Sequence, residues 1–429
     1  MKIFINKSEI KGTIKVPSSK SYTIRGLVCA ALAKGESEII YPLSSDDTDA
    51  AQDVLSRLGV MVTRDRAKWQ VVGGGFWRVS GGNLQEPETE LFCGESAATM
   101  RFMTAICSLV NGKCLLTVAP SLARRPIKPL LQALEQLGVD CAYQEEDSSV
   151  IVNGRGLKGG TVNLPGDISS QFVSALLFIA PLAEEGLKIR LTTPIESKPY
   201  ILMTLECLQQ FGIKVKTSTD LREFEVSQQL YQPTKYKVEG DWSSASYLLA
   251  LGTVCGEVEV KNLNSISLQG DKSILDFLRD MGARVEVTTD SVIVRKSRLN
   301  AIRADLTNCI DLLPTMGVLA AVADGESEFT GIERARIKES NRVAAVKDGL
   351  EKMGIQVKEE QNKLIITGAT PQGTIIDSNN DHRIAMAFSI LGLLAGDTVI
   401  DGAECVSKTF PQFWDVLKSI GGTLEISVE

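Results

Sequence analysis

One short pattern recurs six times along this chain, and it constrains the fold more than any other feature. In each copy an amphipathic helix ends in an apolar residue, a glycine follows, and a strand begins; successive glycines lie 67 to 79 residues apart. A glycine at this place takes the left-handed conformation that ends a helix, and a fixed period indicates a repeat architecture. The six glycines are Gly59, Gly138, Gly212, Gly282, Gly354 and Gly421.

A second helix also recurs six times. It begins with small or polar residues and continues almost wholly apolar, as in residues 173–180, and a helix that is apolar on all sides is buried. Each repeat therefore combines one inner helix, one outer helix and short strands, which predicts a mixed α/β (α+β) fold. The inner helices are predicted to begin at residues 18–21, 94–96, 169–171, 241–244, 311–314 and 380–383.

The repeats also predict the domain organisation. The sixth copy lacks its last strands, and the first residues of the chain carry a matching pattern. We therefore expect one domain at residues 18–238 and a second formed by residues 1–17 plus 239–429. The chain would then cross between the domains near residues 15–20 and 236–241, and two crossings make a hinge that suits opening and closing.

Composition excludes several classes of function. The 429 residues carry a net charge of −7, which argues against nucleic-acid binding, because that needs a basic surface. No apolar run of about 18 residues occurs, so we expect no membrane span, and the N-terminus is typical of a strand rather than a signal peptide. Nine scattered cysteines and one histidine indicate a reduced, cytoplasmic protein without a metal site.

Residues 338–342 bring cations and a carboxylate close together. We predict that they form one helical turn with Lys338 and Arg342 on one face and Glu339 beside them. Two cations favour an anion, and a carboxylate among them can exchange a proton. An exposed helix stabilised by ordinary charge pairing is the alternative explanation of this segment alone.

Anion binding is also predicted at the starts of the inner helices, where the helix dipole is positive and backbone N–H groups are free. Simple N-capping explains any one of these polar starts, but cations recur beside them in an acidic protein. Lys20 and Arg25 flank the first, Arg125 precedes an outer helix, Arg383 begins the sixth, and Lys408 follows the next strand in a loop. No P-loop motif occurs.

Together these motifs resemble the 3-phosphoshikimate 1-carboxyvinyltransferase (EPSP synthase) family of enolpyruvyl transferases, over the whole chain. The matching segments are Lys20-Ser21 with Arg25, Arg125-Pro126, Ser169-Ser170-Gln171-Phe172, Ser197-Lys198-Pro199-Tyr200, Lys338 to Arg342, Asn380-Asp381-His382-Arg383 and Lys408-Thr409-Phe410-Pro411. The resemblance implies a two-domain enolpyruvyl transferase fold with three βαβαββ-type repeats in each domain.

The resemblance also implies an activity. The enolpyruvyl group of phosphoenolpyruvate would pass to the 5-hydroxyl of shikimate 3-phosphate with release of phosphate, in the shikimate pathway to aromatic amino acids. These two metabolites are the expected partners, and the resemblance implies no metal and no organic cofactor. We expect no nucleic-acid or membrane partner, and we expect a monomer. Because both substrates are anions, we expect the cations of the two domains to close over them.

The residue roles that the resemblance implies fall into three groups. Asp311 would take the hydroxyl proton, Glu339 would exchange a proton with the methylene carbon, and Lys20 would assist. The residues implied to bind shikimate 3-phosphate are Lys20, Ser21, Arg25, Ser169, Ser170, Gln171, Ser197, Tyr200, Asp311 and Lys338. Those implied to bind phosphoenolpyruvate are Lys20, Ala97, Arg125, Gln171, Arg342, Arg383 and Lys408.

The chain departs from the family pattern at the start of its second inner helix. Ala97 stands where relatives commonly have a glycine in the phosphoenolpyruvate pocket, and Glu95 replaces a common asparagine. The methyl group of Ala97 narrows the site, so we hypothesise reduced sensitivity to glyphosate, which competes with phosphoenolpyruvate in this family.

Two alternatives stay open at this point. The sister enolpyruvyl transferase that acts on UDP-N-acetylglucosamine shares the fold, but it carries a reactive cysteine in the loop before the Arg-Pro pair, and residues 120–125 contain none. A non-catalytic anion-binding protein would need the cations but neither Glu339 nor Asp311.

Overall fold

The structure, a computed structural model, describes residues 1–65 and 75–427. The chain forms two compact units, each with its own apolar core: an N-terminal unit of residues 18–239, and a C-terminal unit of residues 1–17 with 240–429. Within the described stretches, no helix combines the length and the apolar character that crossing a membrane requires.

Two kinds of helix alternate along the chain, as the repeats predict. The helices are α1 (Lys20–Leu32), α2 (Asp46–Arg57), α3 (Ala97–Cys107), α4 (Pro120–Ala123), α5 (Lys128–Gln136), α6 (Ser170–Ile179), α7 (Lys198–Gln210), α8 (Trp242–Cys255), α9 (Ile274–Asp280), α10 (Leu313–Ala320), α11 (Arg342–Lys352), α12 (His382–Ala395) and α13 (Phe413–Ser419). Short 3-10 turns cover Ala180–Leu182, Gly270–Ser273, Ile310–Leu312, Glu333–Ile337 and Ala403–Lys408.

The strands are short and are distributed over the repeats. They are β1 (Lys2–Asn6), β2 (Ile10–Lys15), β3 (Gly35–Ile40), β4 (Met61–Arg64), β5 (Phe76–Gly81), β6 (Leu91–Phe92), β7 (Gly112–Thr117), β8 (Asp140–Gln144), β9 (Ser149–Gly154), β10 (Gly160–Leu164), β11 (Leu187–Leu191), β12 (Lys216–Thr217), β13 (Glu223–Val226), β14 (Lys235–Lys237), β15 (Gly256–Lys261), β16 (Arg284–Val287), β17 (Ser291–Arg295), β18 (Arg303–Asp305), β19 (Glu326–Thr330), β20 (Gln356–Glu360), β21 (Lys363–Thr367), β22 (Ile375–Asp377), β23 (Thr398–Asp401) and β24 (Thr423–Ser427).

The described strands form six four-stranded sheets with one pairing scheme. In the third repeat β10 pairs parallel with β11, β11 pairs antiparallel with β13, and β13 pairs antiparallel with β12. A parallel pair needs a crossover connection, and the inner helix α6 supplies it here. The predicted α/β fold of repeated mixed units is confirmed.

Strand pairing explains why each unit needs a distant piece of chain. β1 lies between β23 and β24, and β2 pairs in parallel with β15, so residues 1–17 complete two sheets of the C-terminal unit. In the N-terminal unit, β14 from the end of the unit pairs with β3 near its start and completes that sheet.

The six repeat glycines take the conformation that the sequence predicts. Their φ angles lie between +79° at Gly138 and +107° at Gly421, a region that other residues enter at a steric cost. The inner helices are buried as predicted; in α6 every residue from 172 to 179 is buried. The apolar sequence of each inner helix therefore places its polar first turn at the end of a packed layer.

The predicted helical turn at residues 338–342 is wrong. Lys338 and Glu339 lie in a bend between the 3-10 turn Glu333–Ile337 and α11, and α11 begins only at Arg342, with Asn341 as its N-cap. The Asn341 side chain accepts a hydrogen bond from Ala344 N, and such a cap stops the helix from extending backwards. Lys408 likewise ends a 3-10 turn rather than lying in an irregular loop.

Candidate active site

Arg342 is the centre of a buried charge cluster in the C-terminal unit. Its Nη1 donates to Asp311 Oδ1 at 2.7 Å, its Nη2 to Glu339 Oε2 at 2.5 Å, and its Nε to Asp381 Oδ2 at 2.7 Å. The side chain of Arg342 is only 1% exposed. One planar guanidinium with donors in fixed directions can orient three carboxylates in this way. The structure therefore brings the predicted proton-exchanging residues Asp311 and Glu339 onto a single cation.

Asp381 fixes this arrangement to a helix. It is the N-cap of α12, where Oδ1 accepts from Arg383 N at 3.0 Å, and Oδ2 also accepts from Ser340 Oγ at 3.0 Å. A buried carboxylate of this kind is stable when it is paired and hydrogen-bonded. The sequence analysis quoted Asp381 as part of a motif but did not assign it to the site. An aspartate that follows a strand and begins an apolar helix is the signal that could have identified it.

Two further cations contact Asp311. Lys338 Nζ lies 3.3 Å from Oδ1, and Arg383 Nη2 donates to Oδ2 at 3.1 Å. Arg383 also donates from Nη1 to the hydroxyl of Tyr247 at 3.4 Å. Both oxygens of Asp311 are thus held by positive groups, so its carboxylate has a fixed orientation.

Burial and charge shift the proton affinities of this cluster. Burial lowers the pKa of Lys338 to about 8, although the negative charge of Asp311 opposes the shift. The pKa of Arg342 is raised because Asp381, Glu339 and Asp311 together outweigh the effect of burial. Lys338 therefore loses its proton at a lower pH than an exposed lysine does, whereas Arg342 stays charged.

Arg342 was expected to contact phosphoenolpyruvate. The bonds described above engage its Nε, Nη1 and Nη2 atoms with protein carboxylates, so Arg342 also positions Asp311 and Glu339. Lys408 is also held by the protein, since its Nζ donates to the Asn380 carbonyl at 2.6 Å, just before α12.

A second polar group lies in the N-terminal unit at the start of α6. Ser169 is the N-cap of this helix, and its Oγ accepts from Gln171 N. Arg101 Nη1 donates to Ser169 Oγ at 3.0 Å and to Gln171 Oε1 at 2.8 Å, while Nη2 donates to the Pro126 carbonyl at 2.9 Å. Sequence reasoning missed Arg101, because an arginine inside an apolar helix has no spacing signal that reveals its partners.

Arg25 lies fully inside the same unit. It donates to Thr204 Oγ1, to the Ser21 carbonyl and to the Tyr200 carbonyl at 2.9, 3.1 and 3.2 Å. Its guanidinium also lies over the rings of Phe102 and Tyr200. Burial lowers its pKa. The structure therefore groups three of the predicted residues, Ser21, Arg25 and Tyr200.

The remaining predicted residues of the N-terminal unit lie at helix ends. Lys20 begins α1, and its Nζ lies 2.7 Å from Asp47 Oδ2. Ser170 begins α6, and Ser197 precedes α7 with a left-handed φ of +55°. Arg125 lies between α4 and α5, directly before the proline whose carbonyl Arg101 holds.

The two unusual residues at the start of α3 have distinct surroundings. Ala97 is the first residue of the helix and is 5% exposed, with Ser96 as the N-cap. Glu95 Oε1 accepts from Ser121 Oγ at 2.6 Å. Glu95 therefore links the start of α3 to the short helix α4 that precedes Arg125, which gives its negative charge a local partner.

Comparisons with known proteins identify the family. A family model described as EPSP synthase (3-phosphoshikimate 1-carboxyvinyltransferase) matches residues 5–417. A 3-phosphoshikimate 1-carboxyvinyltransferase of Dehalococcoides mccartyi strain BAV1 is 49% identical over 422 residues, covering 98% of this chain and 99% of the relative. One of Methanocaldococcus jannaschii is 39% identical over 432 residues, covering 99% of both chains.

Solved structures give the same result. An EPSP synthase of Acinetobacter baumannii superposes with a TM-score of 0.83 at 26% identity, covering all of both chains. The enolpyruvyl transferase NikO of Streptomyces tendae superposes with a TM-score of 0.81 at 15% identity, covering 100% of this chain and 99% of the other, and at that identity the likeness shows the fold alone. On the family model and the full-length relatives together, the chain belongs to the EPSP synthase (3-phosphoshikimate 1-carboxyvinyltransferase) family.

Proposed function

We propose that this protein transfers the enolpyruvyl group of phosphoenolpyruvate to the 5-hydroxyl of shikimate 3-phosphate and releases phosphate. Membership of the family supports the reaction. The observation that carries the mechanism is the single buried guanidinium of Arg342, which holds Asp311 and Glu339 together. A pair of oriented carboxylates suits an addition followed by an elimination, because in each step one group takes up a proton and another gives one away.

In the addition step, Asp311 takes the proton of the 5-hydroxyl, and the hydroxyl oxygen bonds to C2 of phosphoenolpyruvate. Glu339 gives a proton to C3, which becomes a methyl group. In the elimination step, Glu339 takes a proton back from this methyl group, the C2–C3 double bond re-forms, and the bond from C2 to the phosphate oxygen breaks. Asp311 passes the hydroxyl proton to the departing phosphate, which restores the Asp311 carboxylate, and Lys20 assists the proton transfers.

We assign the binding of the two anionic substrates to cations and to helix starts. Ser169, Ser170 and Ser197 would hold the 3-phosphate, since hydroxyls at helix N-termini suit a phosphate. The other residues proposed to bind shikimate 3-phosphate are Lys20, Ser21, Arg25, Gln171, Tyr200, Asp311 and Lys338. Those proposed to bind phosphoenolpyruvate are Lys20, Ala97, Arg125, Gln171, Arg342, Arg383 and Lys408.

Phosphate release by the purified protein tests this function. We expect turnover with phosphoenolpyruvate and shikimate 3-phosphate, and none when UDP-N-acetylglucosamine replaces the shikimate acceptor. Asp311→Ala and Glu339→Ala should each lower kcat by about 10²–10⁴-fold. Binding of both substrates without phosphate release would instead identify an anion-binding protein, and turnover that survives both substitutions would refute the assigned roles.

The cellular location forms part of the proposal. All nine cysteines are unpaired and buried, and a protein with free thiols suits a reducing compartment. We therefore assign the protein to the cytoplasm, where a labelled copy of the full chain should be found in the cytosolic fraction.

A further inference from the structure

Asp271 is a buried carboxylic acid next to the charge cluster, and the mechanism above does not use it. It lies in the 3-10 turn Gly270–Ser273 and is 2% exposed. This turn packs against α8 and against the 3-10 turn Ile310–Leu312, which carries Asp311. Asp271 is therefore a buried neighbour of the turn that carries the proposed proton acceptor.

The turn that carries Asp271 is fixed to the start of α8. Gln269 Oε1 accepts from Trp242 N at 3.0 Å, and Gln269 Nε2 donates to the Gly240 carbonyl at 2.8 Å. Asp271 Oδ2 accepts a short hydrogen bond from Ser243 Oγ on the same helix. These bonds hold the carboxyl group in one place.

The second oxygen of Asp271 is poorly satisfied. Oδ1 is buried and has no hydrogen-bond partner among the residues that the structure describes. A buried carboxylate with one hydrogen bond is costly in its ionised form. Burial and the negative charge of Asp311 accordingly raise the pKa of Asp271 to about 7, against the opposing effects of Arg383 and Ser243.

The charged and titratable groups around Asp271 come from each neighbouring element. Asp241 at the start of α8 and Asp311 repel its negative charge, while Arg383 of α12 attracts it. The Cys309 thiol is also nearby, and its pKa is raised by burial and by Asp271. Lys272, next in the chain, turns its Nζ to the Ser265 carbonyl at 3.1 Å. Asp311 is the acidic neighbour with the largest effect on Asp271.

We infer that Asp271 is a positioning residue for proton transfer, whose charge controls how readily Asp311 accepts the hydroxyl proton. The inference rests on the proposed function, because it assigns that proton to Asp311. Repulsion between two carboxyl groups is reciprocal. An ionised Asp271 makes protonation of Asp311 easier, whereas a neutral Asp271 leaves Asp311 a weaker acceptor.

The test compares kcat of wild type and Asp271→Asn across pH. Asparagine has nearly the same shape and accepts the same hydrogen bond, but it carries no charge at any pH. We expect the two proteins to have similar kcat at about pH 6, where Asp271 is neutral, and wild type to be roughly three- to tenfold faster at about pH 8.5, where it is ionised. KM should change less than kcat.

Two matched variants accompany this measurement. Asp276→Asn makes the same substitution at an exposed position of α9 and should leave the pH profile unchanged. Ser243→Ala removes the hydroxyl that stabilises the ionised carboxyl group, so the rise in kcat should move to higher pH. If Asp271→Asn does not fold, Ser243→Ala and the pH-dependent infrared band of the buried carboxylic acid in wild type carry the test.

The outcomes separate the two proposals. A ratio of kcat values that stays constant with pH would overturn the inference, because a purely structural role lowers kcat equally at all pH values. An unshifted profile in Ser243→Ala would overturn it as well. If wild type releases no phosphate at any pH, the proposed function itself fails.

Discussion

Asp381 and Arg342 form an ion pair whose side chains are 0% and 1% exposed, with Nε and Oδ2 at 2.7 Å. The same carboxylate is the N-cap of α12. A single side chain therefore determines both where the helix carrying Arg383 begins and how the guanidinium that holds Asp311 and Glu339 is oriented.

Replacing Asp381 should damage both stability and catalysis. Asp381→Ala leaves a buried cation with one carboxylate fewer and removes a helix cap, so we expect the free energy of unfolding to fall by about 3–5 kcal/mol. Because misplacing catalytic groups by even ~1 Å can cost ~10²-fold, kcat should fall by at least that factor. Urea denaturation and phosphate release measure the two effects.

An exposed ion pair is the control for this experiment. Lys128 and Glu145 lie 2.8 Å apart with side chains 64% and 75% exposed. Glu145→Gln should change the free energy of unfolding by less than about 1 kcal/mol. Equal effects of the two substitutions would show that burial of the Asp381 pair has no special importance.

Arg101 should affect substrate affinity through the residues that it holds. Arg101→Lys keeps the charge, but an ammonium group cannot reach Ser169, Gln171 and the Pro126 carbonyl with the same geometry. We expect KM for shikimate 3-phosphate to rise roughly tenfold, since one or two hydrogen bonds to a charged group are lost. Steady-state kinetics test this, with Arg155→Lys at an exposed position as the control; an unchanged KM would contradict it.

The fold could be predicted from the sequence because its signals are local. The glycine at Gly59 and its five counterparts end helices through a backbone preference, and apolar runs such as 173–180 identify buried helices without knowledge of their neighbours. The pairing of β1 with β23 and β24 could be anticipated only because the repeats exposed a missing piece.

The site was harder to predict because its contacts are not local in the sequence. Lys338 and Glu339 fit a helical spacing, but the cap at Asn341 overrides that pattern, and a cap depends on one hydrogen bond rather than on periodicity. Arg101, Asp271 and Asp381 form hydrogen bonds to partners 25 to 70 residues away in the chain. These bonds exist only once the units have folded, so spacing does not reveal them.

Ala97 offers a prediction about inhibition. It is buried at the first position of α3, so Ala97→Gly removes a methyl group from a helix start proposed to face phosphoenolpyruvate. We expect the inhibition constant for glyphosate to fall by roughly tenfold, while the helix loses about 0.5–1 kcal/mol from the glycine. Inhibition assays at fixed phosphoenolpyruvate measure this, and a low-micromolar constant in wild type that the substitution leaves unchanged would refute the hypothesis.

Asp271 should also affect stability, in a direction that its pKa fixes. Its folded pKa of about 7 lies above the ordinary value of 3.8, so between these values the folded state binds the proton more tightly than the unfolded state. The contribution of Asp271 to stability is therefore fully present below about pH 4 and is lost as pH rises to about 7. Asp271→Asn should gain stability relative to wild type over this window, by up to a few kcal/mol at about 1.4 kcal/mol for each tenfold change in proton affinity. Urea denaturation at pH values across the window measures the difference, Asp276→Asn is the control, and a difference that stays constant with pH would show that Asp271 titrates alike in both states.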